Sequence, residues 1–151
     1  MIPKSEVKAK LGLVGLSTEA ARMDPNHQFY GMNIPTADVW SYMGLEKASK
    51  DLKTMKASFA YMFFTRYVQR VDDEGVLLHQ AGKSLPSTMN KPVTSAEMSA
   101  KAEIWASTKR TKAYVKWALG LGNLKGEELK TNVAYKYYLQ YLKARKVKFE
   151  N

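Results

Sequence analysis

Apolar residues recur along this chain at steps of three and four, the spacing of a helix and not of a strand. The clearest run is Leu45, Ala48, Leu52, Met55, Phe59, Met62, Phe63, Tyr67 and Val71, with Lys47, Lys50, Lys53 and Lys56 mostly on other faces. It predicts a long helix from Thr36, a suitable N-cap with Asp38 in its first turn. Gly44 bends or divides it. It should stop near Asp72-Asp73-Glu74-Gly75, because acids at a helix C-terminus oppose the dipole. A second helix is predicted from Thr94-Ser95-Ala96-Glu97, the pattern of a capping box, to Gly120. Met98, Ala102, Trp105, Thr108, Val115, Ala118 and Leu119 would line its buried side. A third starts at Asn123 or Gly126, holds Glu127 and Glu128 in its first turn, and runs to about Lys146. No strand is predicted. The expected fold is all-α, an antiparallel bundle of about four helices.

The first 35 residues read differently. Ser5 and Ser17 can each cap a short helix, and Asp24-Pro25-Asn26 breaks the second. His27 to Pro35 is irregular yet apolar, with Phe29, Tyr30, Met32 and Ile34. The expected organisation is an extended, partly helical arm over 1–35 and a helix bundle over 36–151. Residues 72–93, with Gly82, Pro86, Asn90 and Pro92, would form the main connection.

Length and composition narrow the class. At 151 residues and 45% hydrophobic, the chain suits one globular domain with a real core. Its longest apolar-looking run, Ala57 to Phe64, is far short of the roughly 20 residues of a membrane span. The N-terminal Met-Ile-Pro-Lys-Ser-Glu lacks an apolar signal core, so an intracellular setting is expected. There is no cysteine, which excludes disulfides, thiolate metal sites and cysteine nucleophiles. His27 and His79 lie in no metal-ligand spacing. Gly120-Leu121-Gly122-Asn123-Leu124-Lys125-Gly126 falls between two helices, where a phosphate loop would need a preceding strand. No catalytic residue, metal, cofactor or small-molecule substrate is therefore expected.

Charge points to a partner. Residues 101–151 hold twelve Lys or Arg against four Asp or Glu, which supplies most of the chain's net +10. Basic residues interleaved with Trp105, Trp117 and five tyrosines fit a surface that tracks a phosphate backbone. Lys109, Arg110, Lys112 and Lys116 span two turns of one predicted helix, with Lys109, Lys112 and Lys116 on one face. Lys136, Lys143, Arg145, Lys146 and Lys148 line the last helix and its tail. No base-reading helix is marked out, so little sequence specificity is expected. Tyr135, Tyr137, Tyr138 and Tyr141 cannot all face one way, and suit core and subunit contacts better than base stacking. Phe29, Tyr30, Met32, Ile34, Trp40, Tyr135 and Tyr138 are the expected self-association residues.

The arm Ile2 to Pro35, the helix Thr36 to Val71 and the helix pair from Thr94 to Lys146 together resemble the major coat proteins of filamentous and rod-shaped archaeal DNA viruses, the lipothrixvirus and rudivirus kind. The likeness is one of layout, without a signature motif. It implies a virion protein that assembles helically with copies of itself or a related second subunit, its arm wrapping duplex DNA held in A-form. On that resemblance Lys4, Lys8, Lys10 and Arg22 would lie on the DNA beside the later basic stripe. The alternative is a monomeric helical adaptor or regulator whose basic face meets RNA or an acidic protein.

Overall fold

A computed structural model of the chain describes residues 34–86 and 94–145. The described residues are helical, without strands. The helices are α1 (Thr36–Tyr42), α2 (Leu45–Ala48), α3 (Leu52–Lys56), α4 (Phe59–Gln80), α5 (Ser95–Ser107), α6 (Lys112–Ala118), α7 (Gly126–Thr131) and α8 (Tyr135–Arg145). The expected all-α class holds, but each long predicted helix is cut into shorter ones.

The cuts have local causes. Gly44, at φ 74°, ends α1 in a left-handed turn that glycine adopts without steric cost. Asp51 starts α3 as its N-cap, accepting from the Thr54 amide at 3.3 Å and the Thr54 hydroxyl at 2.8 Å. Ser58 Oγ accepts from the Tyr61 amide at 3.2 Å and so opens α4. Thr94 caps α5 through the Glu97 amide at 3.2 Å, as the capping-box pattern predicts. Thr111 caps α6 through the Tyr114 amide at 3.1 Å, and Asn132 Oδ1 takes the Ala134 amide at 2.9 Å between α7 and α8.

The acidic stop at 72–74 is overridden, and α4 continues to Gln80. Asp72 is buried and Asp73 accepts a hydrogen bond from Arg110 at 2.9 Å, so tertiary contacts outweigh the dipole. The connection expected over 72–93 therefore begins only after Gln80. Gly82 (φ 74°) closes α4: its amide bonds the His79 carbonyl while Lys83 reaches back to Leu78. Gly120 and Leu121 close α6 in the same paired pattern.

The contacts group the chain into two compact units, Met1–Asp72 and Asp73–Asn151. In the first, Val39, Trp40, Leu45, Met55, Phe63, Phe64, Tyr67 and Val68 are buried. Trp40 meets Phe64 edge-on at 5.0 Å, and its indole N–H donates to Glu46 at 2.8 Å. The Tyr67 hydroxyl donates to the Ile34 carbonyl. In the second unit, Ala102, Trp105, Ala106, Tyr114, Val115, Leu121, Tyr138 and Tyr141 form the core. Small Ala102 and Ala106 on α5 leave room for the tyrosines of α8. Seven of the thirteen residues of α5 are buried, among them Glu97 and Lys101, whose charged groups lie 3.6 Å apart. α7 has no buried residue.

Candidate nucleic-acid interface

Within the second unit the basic residues organise around three tyrosines. Tyr135, Tyr138 and Tyr141 stand at steps of three on α8, with ring centroids 6.2 and 6.0 Å apart. Burial pushes the Tyr138 and Tyr141 phenols above their ordinary pKa, and the nearby Arg145 charge partly offsets this. The Tyr141 hydroxyl donates to the Arg110 carbonyl and accepts from Arg145 Nη1 at 2.8 Å. Arg145 also lies over the Tyr141 ring at 5.7 Å, and Lys116 Nζ lies 5.3 Å from the Tyr138 ring. Both distances are within cation–π range. The ladder thus brings Arg145 together with Lys116 and the backbone of Arg110, about thirty residues earlier in the chain.

The predicted stripe of Lys109, Lys112 and Lys116 on one helix face is not formed. Thr108, Lys109 and Arg110 make the turn between α5 and α6. Lys109 has φ 60°, the single positive value of a non-glycine among the described residues. Its amide bonds the Ala106 carbonyl and that of Arg110 bonds Trp105, the closure that Gly82 and Gly120 make elsewhere. Lys112 is half-buried, at the start of α6.

Two further cations on α8 face outward. Lys136 and Lys143 are exposed on α8, seven residues apart, and so share a helix face about 10.5 Å long. Lys136 lies over the ring of Tyr137 at 5.1 Å. Exposed Leu139 sits between them. Lys143 lines an open groove of about 550 Å³ with Glu103, Ala106, Ser107, Gln140 and Ala144. Gln140 donates to the Ser99 carbonyl across the helix pair at 3.5 Å.

The remaining candidates divide in two. Lys4, Lys8, Lys10, Arg22, Phe29, Tyr30, Met32, Lys146 and Lys148 lie outside the described residues. Ile34, Trp40 and Tyr138 are buried within their own units, and Tyr135 is half-buried. Sequence reasoning did not single out Asp73 as the partner of Arg110, nor Lys125 and Lys130, both exposed beside α7 or on it. The ladder itself had a readable signal in the spacing of Tyr135, Tyr138 and Tyr141.

His79, which lies in no metal-ligand spacing, packs among aromatics. Its ring packs 6.3 Å from Tyr114 and 5.4 Å from Trp117, whose indole N–H donates to the Lys83 carbonyl at 3.1 Å. Among the described residues no cluster of acids and histidines could hold a metal, and no helix is long and apolar enough to cross a membrane. Comparison with known protein families, with curated proteins and with solved structures finds no match to this chain.

Proposed function

We propose that this chain is a structural nucleic-acid-coating protein, a virion major coat protein that self-assembles helically and binds duplex DNA without sequence preference. The observation that carries this reading is the outward set of lysines, Lys109, Lys136 and Lys143, in a chain of net charge +10. Each phosphate they neutralise releases counterions and adds a salt-dependent share of affinity. Arginine is the residue suited to bidentate reading of guanine. In the second unit Arg110 and Arg145 are engaged within the chain, by Asp73 and Tyr141 respectively, so the outward charge of its described residues is lysine. Lysine on a backbone supports binding that ignores sequence. Exposed Leu52, Met62, Leu77, Val133 and Leu139 supply apolar surface for assembly.

The test is the purified chain with duplex DNA, followed by gel shift across a salt series and by electron microscopy. Filaments and binding that weakens steeply with salt support the proposal. A chain that stays monomeric and shows no salt-dependent binding overturns it. Removing residues 1–33, while keeping the buried Ile34, should abolish assembly and leave the helices intact by circular dichroism. One observation favours a second reading, a monomeric adaptor for RNA or an acidic protein: Ile34, Trp40 and Tyr138, expected at subunit contacts, are buried in the chain's own units.

A further inference from the structure

We infer that six basic residues of the second unit divide by role: Lys109, Lys136 and Lys143 contact phosphate, Lys116 and Arg145 are positioning residues that hold the tyrosine ladder, and Arg110 is a positioning residue tied to Asp73. This rests on the nucleic-acid reading above and goes beyond it, because charge alone treats all six alike.

The division follows from what each cation touches. Arg110 has a side chain only 16% exposed and donates to Asp73 at 2.9 Å. Its carbonyl accepts from Tyr141. Arg145 donates to the same hydroxyl and covers the same ring. Lys116 covers Tyr138, the next ring along. A phosphate taking any of these three would have to displace an existing partner: at Arg110 it would break the pair with Asp73, and at Lys116 or Arg145 it would loosen the packing around the tyrosines of α8. Lys109 and Lys143 are exposed and, among the described residues, make no side-chain hydrogen bond or ion pair. Lys136 is exposed, its ammonium 5.1 Å from the ring of half-buried Tyr137 and not on the ladder.

Two of the outward lysines share a helix face, and the third follows a residue of the same groove. Lys136 and Lys143 share one face of α8. Lys143 shares its groove with Ser107, two residues before Lys109. Glu103 is the acid in that groove, so it tempers the field at Lys143.

The experiment measures the slope of log affinity against log salt on a duplex of random sequence, with the melting temperature of each variant taken without DNA. The triple variant K109Q/K136Q/K143Q should lose about 2.7 from the slope, 0.9 for each phosphate contact. Its melting temperature should stay close to wild type. K116Q and R145Q should keep the slope and melt several degrees lower. R145K, which keeps the charge but not the guanidinium geometry, should melt lower as well. If K116Q and R145Q remove as much slope as the triple variant, the division is wrong while the nucleic-acid reading stands. If the wild-type chain shows no slope, both fall.

Discussion

Replacing Tyr141 with Phe isolates one hydroxyl at the centre of the second unit. The ring stays, so the packing of a fully buried side chain against Ala102, Ala106 and Tyr138 is kept. Two bonds go: the one donated to the Arg110 carbonyl and the one accepted from Arg145 at 2.8 Å. A carbonyl left without its partner costs about 1–3 kcal/mol, and the bond from the charged guanidinium adds to that. Taking about 2–3 kcal/mol in all, and roughly 2–4 °C per kcal/mol for a chain of this size, the melting temperature should fall by about 4–12 °C. Tyr141→Ala would cost more, about 3–5 kcal/mol, because it also opens a cavity. Thermal melts followed by circular dichroism give the number. A Phe variant that melts within about 1 °C of wild type would refute the reasoning, since the hydroxyl could not then be the link between α8 and the 108–111 turn.

Three further outcomes follow from the geometry. Lys109→Gly should stabilise the fold by about 0.5–1 kcal/mol in a urea titration, because glycine relieves a left-handed residue at φ 60°, and should also lower the salt slope by about 0.9; a net loss of stability would contradict it. Gly120→Ala, at φ 75°, should cost about 1–2 kcal/mol in the same titration, from the backbone alone, since an added Cβ meets nothing within 4 Å. Stability should decline as pH rises past about 10, the ordinary tyrosine value. Burial holds the Tyr67, Tyr138 and Tyr141 phenols above that value, so the folded state keeps their protons longer than the unfolded state. Their contribution is full below the unfolded pKa and is lost as pH climbs through the folded one; a pH titration of the melting temperature that stays flat beyond pH 10 would count against it.

The helical class was legible because burial repeats at helical spacing across most of the chain. The breaks were harder to see. Asp51, Ser58, Thr111 and Asn132 sit inside runs whose apolar spacing continues on either side, so periodicity alone bridges them. Their capping bonds were readable in principle: Asp51 with Thr54 is a cap pattern in its own right. The run of α4 through Asp72 and Asp73 was not readable, because it depends on Arg110, 37 positions away from Asp73. The candidate interface divides the same way. Composition located the cations. Which of them are held by tyrosines depends on how α8 packs on α5 and faces α6, and no local pattern carries that.

The contrast between α5 and α7 sets an order of opening. A helix with seven of thirteen residues buried releases its amide protons only when the whole unit opens, whereas one with none buried can fray alone. Lys125 and Lys130 both lie exposed in that frayable region, so among the described helices of the second unit it is the one a protease would reach first. A ladder built from α8, immediately downstream, therefore keeps a stable floor in α5 beside a neighbour that is free to rearrange.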